Sequence, residues 1–356
     1  MNRVSSLLAL ASLTLAVASC MIASTEGDAA PEPTPGPARV FGYVESIYGN
    51  LPADSLDLRP FTHLIEAFLI PDATGNVTPT NGIPRQAILN EAHDADCLVL
   101  VSVGGATVPA AIFSAIAAHA SLREQFAANV CAFAENAGYD GIDIDWEFPA
   151  DGERASYVAL VRAFRDRIDA GSWRTFHGET PLLGIGVTTG SRLRGYDFAA
   201  LSEWVDFAIY FGYDFRNPAL GPWSHSADFW PDGYDHPLEA SIRGVASEIV
   251  RLGMAREKLI VGLPFYTSTG LPWAMVRDRA AESDAPLHPL YLEKWIDGAW
   301  VTDAEALGAK VKAVLESAEI HEGTVGGVAI WQLGHQGSGR ELTEALAAAL
   351  AGDGDR

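Results

Sequence analysis

The sequence predicts a single-domain α/β protein, a closed (β/α)8 barrel of the TIM type. Three observations lead there. Eight short runs rich in Val, Ile and Leu recur between residues 40 and 331. Amphipathic stretches with helical spacing fill most of the intervals, at about forty residues per βα unit. No glycine-rich phosphate turn follows the first run, which disfavours the alternative, a doubly wound open sheet.

Taken in order, residues 1–19 read as an export signal. Arg3 precedes an apolar stretch, Leu7 to Val17, that is too short to span a bilayer. The stretch ends in Val17-Ala18-Ser19-Cys20, which resembles a bacterial lipoprotein signal. That resemblance implies cleavage before Cys20, lipidation of Cys20, and contact with the membrane through this anchor alone. Met21 carries no aspartate retention signal, so the cell surface or outer membrane is the expected location. An ordinary secretory peptide is the alternative. Residues 20–38 are rich in Pro, Gly, Ala and acid and read as a tether. From 39 to 352 the texture is uniform, without a second linker or repeat.

Within that domain the predicted strands are Val40–Val44, His63–Leu69, Cys97–Val103, Gly141–Glu147, Leu182–Thr188, Val205–Tyr213, Leu259–Phe265 and Val325–Trp331. Nearly continuous apolar runs of this kind suit strands buried on both faces. Predicted helices are Pro109–His119, Leu122–Ala137, Ala155–Ala170, Pro237–Leu252 and Asp303–Ser317. Gly184 and Gly186 read as small residues at a crowded barrel wall.

Composition narrows the function. The chain is 356 residues, 48% hydrophobic and 20% charged, which is a folded rather than a disordered composition. Lys+Arg 24 against Asp+Glu 46 gives a net charge of −22, which repels phosphate backbones and excludes nucleic acid as an expected partner. Three cysteines without CxxC and nine histidines without HxxxH spacing leave no expected metal site, and no cofactor is called for. A monomer is expected. Cys97 and Cys131 could form a disulfide or stay as buried thiols.

Chemistry concentrates in Asp140–Pro149, DGIDIDWEFP. On a strand, Asp143, Asp145 and Glu147 share one face, and Ile142, Ile144 and Trp146 share the other. The apolar set suits the side under the helices, so three carboxylates must point into the barrel and climb to its C-terminal mouth. Burying unpaired carboxylates costs several kcal/mol each, and the predicted strands hold no Lys or Arg to pair them. Packing cannot explain such a ladder; acid–base chemistry can. The Asp145 charge should keep a proton on Glu147, the topmost acid, with Asp143 deepest and the three titrating together. Asp140 is out of phase and reads as a structural hydrogen-bonding group at the strand entry.

DGIDIDWEFP resembles the DxxDxDxE signature of glycoside hydrolase family 18, the chitinases and their relatives. Ser102-Val103-Gly104-Gly105 is similar to the family's SxGG element, and Phe211-Gly212-Tyr213-Asp214 to MxYD, with Phe in place of Met. Gly262 to Tyr266 and Gly326 to Trp331 match its seventh and eighth strands. The resemblance implies a retaining, substrate-assisted hydrolysis of N-acetylglucosamine polymers or oligomers. Glu147 would be general acid and base, Asp145 the partner of the sugar's 2-acetamido nitrogen, and Asp143 its support. Tyr213 would donate to the acetamido carbonyl, Asp214 would hold the distorted sugar, and Trp331 would floor the subsite. Ser102, Gly104 and Gly105 would leave room beside the acids, with Ser102 free to bond Asp143 or its neighbour. Tyr213 and Asp214 are adjacent, so both reach the site only if the chain bends there.

Sugar-stacking aromatics are expected in the loops. The candidates are Trp223 in the loop that also carries Phe229, Trp230 and Tyr234, and Trp273 in the loop after the seventh strand. About sixty residues separate Tyr266 from Gly326, short for a large cleft-deepening insertion, so a shallow, endo-acting groove is expected. A glycan-directed endo-β-N-acetylglucosaminidase and a non-catalytic chitin-binding lectin are the alternatives.

Overall fold

In the computed structural model the chain is described over residues 37–45, 56–188, 190–217, 221–224, 241–289, 291–316, 320 and 323–351. The signal segment, Cys20 and most of the tether lie outside these residues. Pro35–Arg356 forms one compact unit.

Eight parallel strands carry the architecture: β1 (Arg39–Glu45), β2 (His63–Pro71), β3 (Leu98–Gly104), β4 (Gly141–Asp145), β5 (Leu182–Val187), β6 (Phe207–Phe211), β7 (Leu259–Pro264) and β8 (Gly327–Trp331). Each pairs with its neighbour in chain order, and β1 pairs with both β2 and β8, which closes the barrel. Phe41 lies opposite Ala329 across that last seam.

Two separate apolar layers follow from strand alternation. One holds Phe41, Tyr43, Ile65, Leu100, Phe207, Ile209 and Ile260 inside the barrel. The other holds Val40, Val99, Val101, Ile142, Ile144 and Ile185 between barrel and helices. Helix α4 (Arg154–Ala170) shows why the helices dock: Tyr157, Leu160, Val161, Phe164 and Ile168 recur on one buried stripe. Helix α3 (Ala120–Ala137) stops at Gly138, whose φ of 87° is open to glycine at little cost. The glycines of β5 sit at a crowded wall: a Cβ on Gly184 would lie 2.0 Å from the Phe207 ring.

Every predicted strand is present with its ends moved by a few residues, and helices occupy all five predicted stretches within the described residues. Three differences matter. Strand β4 ends at Asp145, two residues before Glu147. Helix α1 (Gln86–Asp94) and the five-residue α5 (Phe198–Ser202), which bury three and two residues, complete βα units outside the predicted helices. The segment after β7 holds helix α7 (Trp273–Ala281) and a small hairpin, Lys294–Ile296 with Ala299–Val301. Cys97 and Cys131 are buried free thiols rather than a disulfide. Among the described residues no helix is long and apolar enough to cross a membrane.

Candidate active site

Strand β4 delivers the acids. Asp143 is fully buried, and its Oδ2 accepts hydrogen bonds from Ser102 Oγ on β3 at 2.8 Å and from Tyr43 Oη on β1 at 3.0 Å. Ser102 lies directly opposite Asp143 in the β3–β4 register, which is why its hydroxyl reaches. Burial raises the Asp143 carboxyl to about 6, against the pull of these two donors. Asp145 is also raised, first by burial and then by the charges of Glu147 and Asp143. Oδ1 of each aspartate has no hydrogen-bond partner among the described residues.

Glu147 lies just beyond the strand and is half-buried. Its carboxyl is raised to about 7, first by burial, then by the charge of Asp214, with Arg192 opposing. The mutual repulsion of Asp145 and Glu147 that the sequence predicts is present, and burial and the charge of Asp214 add to it at Glu147.

The loop after β6 brings in two more groups. Asp214 has φ of 59°, a left-handed conformation that asparagine and aspartate tolerate better than most residues. This supplies the bend by which Tyr213 and Asp214 both serve the mouth. Tyr266 Oη donates to Asp214 Oδ1 at 3.0 Å. Tyr213 stacks on Phe211 with ring centroids 5.6 Å apart, and its hydroxyl is pushed up by burial and by Asp145, Asp214, Glu147 and Asp143. It therefore stays a donor. Half-buried Trp331, ending β8, lies edge-on to Tyr43 at 5.2 Å and stacks near Phe68 at 5.8 Å. Asp143, Asp145, Glu147, Tyr213, Asp214 and Trp331 thus meet at the C-terminal mouth of the barrel.

Small residues make the room. Gly105 N–H donates to Asp145 O at 2.9 Å, and a Cβ on Gly104, whose φ is 124°, would fall 2.0 Å from that same oxygen. A Cβ on Gly186 would fall 2.8 Å from Asp145 Oδ1. Asp140 stands apart from this company, as its phase predicts. Its Oδ2 accepts from Val99 N–H and pairs with His93 Nε2, both at 2.8 Å, and its Oδ1 accepts from Phe176 N–H at 2.7 Å.

Two expected sugar-stacking aromatics fare differently. Trp273 opens helix α7 instead of lying in a loop, is 5% exposed, and donates Nε1–H to Glu341 Oε1 at 3.1 Å. It belongs to the layer between barrel and helices, not to the cleft. Trp223 falls in the short strand Gly221–Ser224, and its side chain, like Phe229, Trp230 and Tyr234, lies outside the described residues. Tyr43 was missed by sequence reading: inward phase on β1 was legible, but not its meeting with Asp143 a hundred positions away. No cluster of metal-ligating side chains occurs among the described residues.

The comparisons with known proteins agree with this geometry. Residues 39–335 match the model of "Glycosyl hydrolases family 18". Chitinase 1 of Aphanocladium album is 29% identical over 259 residues, covering 62% of this chain and 58% of that protein. A probable endochitinase of Caenorhabditis elegans is 28% identical over 235 residues, covering 62% of this chain and 36% of that one. The chain therefore spans between about a third and three fifths of these relatives' length. A class V chitinase from Nicotiana tobaccum, solved in complex with NAG4, shares the fold with a TM-score of 0.73 at 18% identity, over 88% of this chain and 99% of that one. The chain belongs to glycosyl hydrolase family 18.

Proposed function

We propose that this chain hydrolyses β-1,4-linked N-acetylglucosamine polymers or oligomers with retention, using the substrate's own acetamido group as nucleophile. The observation that carries the reading is the ladder of three carboxyls, raised by burial and ending in a Glu147 poised at about 7. An acid with that value is substantially protonated at neutral pH and ionises readily, as both halves of a retaining reaction require. The family is an established exception to the two-carboxylate nucleophilic scheme.

In the first half, Glu147 protonates the glycosidic oxygen while the acetamido oxygen attacks the anomeric carbon, giving an oxazolinium. Asp145, with Oδ1 unpartnered among the described residues, accepts from the acetamido N–H. Asp143, held by Tyr43 and Ser102, stabilises Asp145 by sharing a proton with it. Tyr213 donates to the acetamido carbonyl, Asp214 holds the sugar, and Trp331 presents an apolar floor. In the second half the Glu147 carboxylate takes a proton from the attacking water. Lipidation of Cys20 and display at the cell surface complete the proposal; Cys20→Ala should move the protein from membrane to soluble fraction.

The decisive experiment is turnover of a chitobiose-based fluorogenic substrate by wild type and Glu147→Gln. The variant should lose at least about a thousandfold in kcat while still binding N-acetylglucosamine oligomers. Equal rates would end the hydrolase reading and favour a lectin. Cleavage of a high-mannose glycoprotein in preference to chitin oligomers would redirect it to N-glycans.

A further inference from the structure

Arg192 stands beside the acid ladder without belonging to it. It lies in the turn Gly190–Gly195 that follows β5. Its guanidinium carbon sits 5.4 Å from the centroid of the Phe148 ring, and Phe148 directly follows Glu147. The side chain is exposed, and no hydrogen bond or ion pair ties it to another described residue. The other groups that face Glu147 are acidic or phenolic: Asp145 on β4, Tyr196 after β5, Tyr213 and Asp214 after β6, and Tyr266 after β7. Among the described residues Arg192 is the cation in this company.

We propose that Arg192 is a positioning residue for proton delivery: its guanidinium, seated on the Phe148 ring next to Glu147, holds a positive charge beside the carboxylate that Glu147 becomes as it gives its proton to the departing sugar. This rests on the hydrolase reading above. As the bond from the anomeric carbon to the glycosidic oxygen breaks, its electron pair leaves with that oxygen, which takes the Glu147 proton. The acetamido oxygen bonds to the anomeric carbon in its place. The negative charge left on Glu147 is the charge Arg192 faces. In the second half water bonds to that carbon, the acetamido bond opens, and the water proton returns to Glu147. A stronger acid leaves a weaker base, so Arg192 aids expulsion of a poor leaving group and slows the hydration half.

The test compares Arg192→Lys, Arg192→Gln and Arg192→Glu with wild type on two substrates. One is an N-acetylglucosamine tetramer, whose leaving group is a sugar hydroxyl that needs the proton. The other is an aryl chitobioside, whose acidic phenol needs it little. Weakening the cation raises the Glu147 pKa, so the protonated form persists to higher pH but is a poorer donor. In Arg192→Gln the alkaline limb of kcat/KM should move up by about half a unit, the size suited to one solvent-screened charge. The ratio of tetramer to aryl kcat/KM should fall about threefold, with Lys nearest wild type and Glu furthest. A 13C NMR titration of the Glu147 carboxyl should shift with the limb. Equal losses on both substrates with the limb fixed, or an unmoved Glu147 titration in Arg192→Gln, overturns the proposal. A wild type inert on both substrates would instead sink the hydrolase reading, while the Glu147 titration would still decide the role of Arg192.

Discussion

Tyr43 and Ser102 set the lowest acid of the ladder. Each donates to the ionised form of Asp143, and each lowers its pKa against the burial that raises it. Deleting the phenol in Tyr43→Phe therefore raises Asp143 further. The acid limb of kcat should move up by about half to one unit and kcat should fall about tenfold, as a pH profile against wild type would measure. A limb that stayed in place would show that Asp143 is not ionised in the reaction. At this scale the sequence spoke clearly where one strand's alternation decided the outcome, as for Asp143, Asp145 and Asp140. It was silent where separate strands converge, as at Tyr43. It misread Trp273, since an aromatic after a strand looks alike whether it faces a cleft or opens a helix.

Strand ends, more than strand interiors, shape the site. The Gly104–Gly105 pair lets the end of β3 lie against Asp145 O, where a side chain at Gly104 would collide and a φ of 124° would strain it. Gly104→Ala should cost about 2–4 kcal/mol in urea unfolding. Gly186→Ala is expected to be milder in stability and harsher in function. Its methyl would press on Asp145 Oδ1 and on Phe211, each 2.8 Å away, so kcat should drop well beyond any change in unfolding midpoint. A variant with wild-type kcat would show that Asp145 needs no such space. The eight strands were legible because two-sided burial writes them as unbroken apolar runs. Helix α5 was not, because it is only five residues long and buries two of them.

Over the whole molecule, a functional ladder is also a pH liability. Asp143 at about 6, Glu147 at about 7, and Asp145, raised by burial and by its two acid neighbours, hold protons in the folded state that the unfolded chain gives up near pH 4. The folded state binds more protons across that window, so stability falls as pH rises from about 4 to 7. Lowered carboxyls such as Asp57, Asp72 and Glu248 act oppositely, losing their contribution only in more acid solution. Glu147→Gln should therefore melt higher than wild type at pH 8, by about 2–4 °C for each kcal/mol relieved, and match it near pH 4–5. Identical melting at pH 8 would mean that Glu147 is not perturbed in the folded protein. The thiols of Cys97 and Cys131 extend this logic to alkylating reagents. Burial pushes both to about 12, so in the intact barrel they are neutral and shielded from alkylating agents. Once the shell opens they become ordinary reactive cysteines, just before β3 and on α3. Iodoacetamide labelling at these two positions, read by peptide mapping, thus gives the protein a native clock for its own unfolding, with no engineered probe.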